Sequence, residues 1–215
     1  MRTIKDNGLL VLSTLMCLLP IVMYLLVFDQ LPAQMAQQWG ADGTPNWTMP
    51  RGLAIFVMPL LLTVVHFILF FIINSASAKN STPTSFRILF SWFIPATSIF
   101  VNLTILFGNL DESFNVRIAA LVFVGLVLII VGNYLPKTRQ NHYIGIRIPW
   151  TLDSADNWNR THRLGGRIFV LAGILFVLGA VLPLSENALI ALLISTIFIA
   201  LIIPIGYSFA LYKRG

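Results

Sequence analysis

Two histidines, His142 and His162, and two carboxylates, Asp153 and Asp156, fall within one polar stretch and are the side chains best suited to acid–base or metal chemistry. Imidazole and carboxylate hold a divalent ion when a regular repeat, such as H-E-x-x-H on a helix, returns them to one point. These four follow no such repeat. Neither a G-x-S-x-G nucleophile turn nor a glycine-rich phosphate loop occurs, so no catalytic residue, metal or cofactor is expected and the chain reads as a non-enzyme. A third histidine, His66, stands alone in an apolar block. A proton relay at that depth would want a carboxylate, and none of the apolar blocks contains one. His66 is therefore expected to hydrogen-bond to a neighbouring helix, and the amides Asn74, Asn102 and Asn133, read as lying inside the spans, are costly unless they too are paired.

The same polar stretch is rich in residues that fix backbone shape. It reads Gly132-Asn133-Tyr134-Leu135-Pro136-Lys137, then Asn141 through Thr151 as N-H-Y-I-G-I-R-I-P-W-T, then Trp158-Asn159-Arg160-Thr161-His162-Arg163-Leu164-Gly165-Gly166. Asp153 or Ser154 can cap a helix, because a short oxygen side chain accepts from an orphan amide of the first turn. From there Trp158, Thr161, His162, Gly165 and Phe169 recur on one helical face, so a helix is expected to run from this point into the next apolar block. Trp150 and Trp158 would lie near lipid headgroups, with Arg160 and Arg163 turned to phosphates or an acidic partner. A basic loop with interfacial tryptophans accounts for part of this pattern; the concentration of Gly, Pro, Asn and Trp favours a built surface.

The elements that must position these residues are set by composition. The 215 residues are 57% hydrophobic and 10% charged, against roughly a quarter charged in soluble domains. A bilayer core about 30 Å thick needs about 20 apolar residues per helix. Six segments qualify: Leu9 to Phe28, Leu53 to Ile73, Ile88 to Leu110, Val116 to Leu135, Ile168 to Leu184 and Ala188 to Leu211. Lipid offers no partner to backbone amides, so each is expected to be a helix, with Pro20, Pro59, Pro95 and Pro204 inside four of them. The first block is too long for a signal-peptide core and no A-x-A site follows it, so it is read as an uncleaved span.

Basic residues orient the bundle. With the N-terminus inside, Arg2, Lys5, Lys79, Arg87, Lys137, Arg139, Arg147, Arg160, Arg163, Arg167, Lys213 and Arg214 face the cytoplasm, and Arg51 and Arg117 face out. The expected fold is an all-α polytopic bundle of about six transmembrane helices with both termini cytoplasmic. It is a single transmembrane domain, 1–215, with an outer loop at 29–50 and a large cytoplasmic loop at 136–167. The formal charge of +6 is scattered singly and in pairs between apolar blocks, as topology determinants are, so direct nucleic-acid binding is not expected. Cys17 is the lone cysteine and excludes both an internal disulfide and a thiolate cluster.

The string GNYLPK, followed by N-x-x-x-G-I-R-x-P-W-T-L and W-x-x-T-H-R-x-G-G, resembles the signature of the SdpI family of bacterial membrane immunity proteins. Leu31-Pro32 through Gly43 and Pro45 also resembles the small extracytoplasmic region of that family, with Gln38 where a His is usual and Arg51 where a Lys is usual. Together with the six spans, the resemblance covers most of the chain. It implies a bacterial cytoplasmic-membrane protein that protects its host from a secreted, membrane-active peptide toxin of the sporulation-delaying type. The partners so implied are membrane lipids, a hydrophobic or amphipathic peptide toxin and a cytoplasmic transcriptional repressor drawn to the membrane. The residues that carry the cytoplasmic signature, and would dock such a partner, are Asn133, Pro136, Asn141, Gly145, Arg147, Pro149, Trp150, Thr151, Trp158, Thr161, His162, Arg163 and Gly165.

In the outer loop Leu31, Met35 and Trp39 recur every four residues, so a short helix over Leu31 to Trp39 is expected on the membrane surface, with Gln34, Gln37 and Gln38 turned to water. Gly43 and Pro45 then break it and Trp47 supplies a second interfacial ring. Leu31, Met35, Trp39, Gly43 and Trp47 are the candidate toxin-receiving residues, simple belt anchoring being the plainer reading. A different class of function, a small-solute transporter or lipid-handling membrane enzyme, would have the 136–167 loop close a polar cavity faced by Asn133, Asn141 and His162.

Overall fold

A computed structural model describes residues 2–75 and 84–214. Lys79, counted above among the inward-facing basic residues, lies outside them. Six helices among the described residues are long and apolar enough to cross a membrane: Asn7–Leu26, Arg51–Ile73, Phe86–Leu110, Val116–Lys137, Ala155–Val181 and Glu186–Tyr212. The expected six-helix membrane architecture therefore holds. The backbone groups into two compact units, Met1–Val116 and Arg117–Gly215.

In the first unit, α1 (Arg2–Leu26), α2 (Arg51–Ile73) and α3 (Thr84–Leu110) pack against one another. Apolar contact gives little drive between helices in lipid, so polar pairs and close packing must join them. The Ser13 hydroxyl of α1 lies 2.9 Å from His66 Nε2 of α2. Ser98 of α3 donates to the Cys17 carbonyl of α1 at 2.9 Å, and the Tyr24 hydroxyl donates to the Asn102 carbonyl at 3.0 Å. Asn102 in turn donates to Ser98 O within its own helix, and Asn74 accepts from Arg87 at 3.0 Å. His66 is thus a hydrogen-bonded core histidine.

One expectation fails here. Leu31 to Trp39 is no helix: β1 (Gln34–Trp39) pairs antiparallel with β2 (Pro45–Pro50) to form a hairpin between α1 and α2. A four-residue spacing returns a side chain to the same face in a strand as well as nearly so in a helix, because four is a multiple of the strand period. Turn chemistry decides between them. Gly43 has φ +83, Gly40 donates to Thr44 O at 2.8 Å, and the Asp42 carboxylate accepts from the Thr44 amide at 2.9 Å and its hydroxyl at 2.7 Å. These bonds hold the Asp42 carboxyl below its ordinary range, the hydroxyl contributing most. Nor do the glutamines all turn to water, for Gln37 is buried beside Met35 and Ala36.

In the second unit, α4 (Val116–Tyr134), α6 (Ala155–Val181) and α7 (Glu186–Tyr212) are the long helices, with the one-turn helix α5 (Pro149–Asp153) ahead of α6. Helices α4 and α6 meet backbone to backbone. A β-carbon on Gly125 would lie 2.7 Å from Gly173 O, and one on Gly166 would lie 2.6 Å from Gly132 O. Any side chain at these points would push the helices apart, which is the use of small residues at membrane interfaces. Below this seam Leu121, Phe176, Ala180 and Leu189 form the apolar core.

Candidate functional site

The residues of the 132–166 signature converge on one platform in the second unit. The chain leaves α4 through a single 3-10 turn, Leu135–Lys137, and must then run through irregular backbone whose polar groups need partners. Side chains supply them. Asn141 accepts from the Tyr143 and Ile144 amides at 2.7 and 2.8 Å and donates to the Arg139 and Ile144 carbonyls. Thr151 donates to Ile146 O at 2.7 Å and accepts from the Ile148 amide at 3.1 Å, which closes the turn into α5. Gln140 reaches the Thr151 and Leu152 carbonyls at the end of α5. Ser154 then caps α6 by accepting from the Asn157 amide, and the helix runs unbroken into the fifth span as its spacing predicts.

Trp158 and His162 are the centre of this platform and both are fully buried. Their rings stack with centroids 3.9 Å apart and planes 19° apart. The indole N–H donates to Thr138 O at 2.9 Å, pinning the start of the loop to α6. His162 Nε2 accepts the Ile146 amide at 3.0 Å while Nδ1 lies 2.8 Å from Trp158 O. A ring that accepts at Nε2 must donate at Nδ1, so the imidazole is neutral with its proton on Nδ1. Both ring nitrogens are engaged, which leaves no lone pair for a metal. Over this pair sits Gly145 with φ +119; a β-carbon there would strike His162 Nε2 and the Trp158 ring. Gly165, against Ile146 and Leu135, fits the same surface from below.

Two residues that sequence reasoning passed over complete the structure. Buried Asn157 donates to Ser208 O at 2.9 Å, and its carbonyl oxygen accepts from Ser208 at 2.7 Å and from Thr161 at 2.9 Å, so α6 is latched to α7. The signal was present in the sequence, since Asn157 lies one turn before Thr161 and Ser208 is a hydroxyl inside an apolar span.

The signature residues thus divide by exposure. Asn141, Thr151, Trp158, Thr161, His162 and Gly165 are buried and shape the platform, offering no surface to a partner. Asn133, Pro136, Arg147, Pro149 and Arg163 are exposed; Arg147 bonds His142 O, and Trp150 lies half-buried with its ring 4.8 Å from Phe209 and 6.1 Å from Tyr212. A cleft of about 510 Å³ beside Trp150 is lined by Asp153, Asp156, Asn157, Arg160, Tyr212 and Arg214. Of the three groups that would face a polar cavity in a transporter, Asn133 lines a separate groove, whereas Asn141 and His162 satisfy the loop itself.

The hairpin of the first unit is the second candidate surface. Leu31 and Met35 are buried against Tyr24, Ala54, Ile55, Ile105 and Leu106, and Trp39 packs on Gly108. Asn109 acts as a neighbouring strand of one residue: its carbonyl oxygen accepts the Ala36 amide at 2.8 Å and its amide donates to Ala36 O at 2.9 Å. Arg51 holds the other end, donating to the Phe28 and Leu31 carbonyls and covering the Phe28 ring at 4.5 Å. Gly43 and Trp47 stay exposed. Asn109 did not figure in the sequence reading as part of this surface, and Arg51 entered it only as the residue standing where a Lys is usual.

Fold and sites together define a multi-pass α-helical membrane protein in which each compact unit carries an ordered non-helical module. Residues 137–208, from the platform to the last span, match the SdpI/YfhL protein family, and residues 15–63, which contain the hairpin, match a domain of unknown function, DUF1648. The immunity protein SdpI of Bacillus subtilis (strain 168) is 24% identical over 204 residues, covering 95% of this chain and 96% of that protein. No solved structure gives a significant match. The chain is thus similar to this family from the platform to the last span and to an immunity protein along nearly its whole length, in line with the resemblance read from its motifs.

Proposed function

We propose that this chain is an immunity protein of the bacterial cytoplasmic membrane that protects its host from a secreted, membrane-active peptide. The observation that carries the reading is the alignment with an immunity protein along 95% of the chain, whose matched regions contain both the hairpin and the platform. The positive-inside count supports placing the platform at the cytoplasmic face and the hairpin outside. On this reading the hairpin's exposed side, with Trp47 at its centre, receives the hydrophobic or amphipathic peptide, and aromatic contact supplies the specificity that apolar burial in lipid cannot. The platform's exposed Arg147 and Arg163, with half-buried Trp150, dock a cytoplasmic partner, for which a transcriptional repressor is the expected class.

The test is survival of a toxin-sensitive host that expresses the chain. Protection is expected, and Trp47→Ala is expected to weaken it about fivefold in protective dose, as loss of one aromatic contact of about 1 kcal/mol would. Wild-type survival no better than that of the empty host sinks the proposal. Arg147→Ala with Trp150→Ala is expected to abolish induction of a reporter while membrane insertion stays normal. Activity of a reporter fused at Gln38 on the cytoplasmic side would reverse the assigned orientation.

A further inference from the structure

The seam between α4 and α6 opens at one end into a groove of about 440 Å³ with no assigned role. It is lined by the glycines Gly132 and Gly166, by an apolar wall of Pro136, Val170 and Leu171, and by the polar residues Asn133 and Arg167. Arg167 is the last charge before the uninterrupted apolar run Ile168–Leu184, so it stands where hydrocarbon gives way to headgroups. One turn earlier on the same helix is Arg163, also exposed, whose Nε reaches only the Asn159 carbonyl at 3.4 Å. Two cations at i and i+4 repel, and neither has a carboxylate partner among the described residues. An apolar groove beneath an unneutralised cation pair matches a phosphate-bearing amphiphile, and basic pockets between membrane helices on the cytoplasmic side commonly hold anionic headgroups.

We propose that this groove is a binding site for an anionic phospholipid of the inner leaflet, with the phosphate between Arg163 and Arg167, Asn133 donating to it, and one acyl chain lying along Val170 and Leu171 over the two glycines. The proposal rests on the orientation given above, but not on the toxin. Its test therefore uses binding, and can fail while the survival result stands.

The full chain, purified in mild detergent, is incubated with phosphatidylglycerol or phosphatidylcholine, and retained lipids are counted by native mass spectrometry. Preferential retention of phosphatidylglycerol is expected. Arg167→Gln is expected to lower it about fivefold, the effect of one cation near an anionic surface, while Arg139→Gln, exposed but outside the groove, leaves it unchanged. Size-exclusion profiles and thermal unfolding matched to wild type show that the variant is folded; Arg167→Lys gives a second reading and is expected to keep the preference. Equal retention of the two lipids, or Arg167→Gln indistinguishable from wild type, overturns the proposal. Displacement of the lipid by millimolar inorganic phosphate would show that the apolar wall is unused, and displacement by a peptide with a free carboxylate would make this a peptide site; either result also overturns it.

Discussion

The hairpin and the platform face one physical problem and solve it differently. Each is a stretch of non-helical backbone at the end of a bundle of membrane helices, where an unpaired amide or carbonyl is costly. The hairpin pairs its backbone mostly with itself, strand to strand, and needs two side chains, Asn109 and Arg51, to fasten its ends. The platform contains no strand; its backbone is satisfied by Asn141, Thr151, Gln140, Trp158 and His162. A self-paired module tolerates substitution wherever its ladder is intact, whereas a side-chain-paired module depends on residue identity at every anchor. That difference explains why the platform has a long, specific motif and the hairpin only scattered small and turn residues.

The contrast is broken most severely at Gly145. Gly145→Ala combines a left-handed φ with a collision against His162 and Trp158, and is expected to cost about 3 kcal/mol or more, read as a fall in thermal unfolding temperature in detergent. A variant as stable as wild type would show that the loop can re-route and that the platform is not identity-bound. Next comes Asn109→Ala, which takes the acceptor from the Ala36 amide and leaves the Ala36 carbonyl only the Gln37 side-chain amide at 3.2 Å, and is expected to cost about 2 kcal/mol. The check is hydrogen exchange, with the Ala36 amide losing protection while Met49 on β2, paired with Met35, keeps its own; loss across both strands would mean that the hairpin is not self-supporting. Trp158→Phe keeps a stacked ring but leaves Thr138 O without its donor, so about 1 kcal/mol is expected, with faster proteolysis between Leu135 and Asn141 as the readout. The smallest effect is at the hairpin tip. Because its bonds to Thr44 depress the Asp42 pKa in the folded state, the turn's contribution is complete above the unfolded carboxylate's value and is lost as pH falls through the folded one. Asp42→Asn is expected to remove that acid dependence from Thr44 amide exchange, and an unchanged pH profile would assign it elsewhere.

Much of this was legible in the sequence, for reasons that differ by region. Length and apolarity announce a membrane helix, so the six spans and the prolines inside them could be read directly. The cap at Ser154 and the helical face from Trp158 to Gly165 were also legible, because capping and periodicity are local. What the face packs against was not. Trp158 and His162 suit a headgroup interface as well as a core, and only the return of Thr138 and Ile146 onto α6 buries them. The hairpin was misread because a spacing of four satisfies two periodicities at once; the Gly40–Thr44 turn and the matching run Asn46 to Met49 were the better guide. Asn109 was invisible because its partner is 73 residues away, and of the Asn157 latch only the Thr161 contact is local, Ser208 lying 51 residues off.

The placement of two prolines limits what can meet the hairpin. Pro45 and Pro50 bound β2, and proline has no amide proton to offer an incoming chain. The outer edge of the hairpin is thus denied donors at both ends, a guard of the kind that keeps exposed sheet edges from recruiting further strands. Growth into a larger sheet is discouraged, and self-association through that edge with it. Whatever approaches from this side must be recognised by side chains and shape, which leaves the work to the indole of Trp47 and its neighbours.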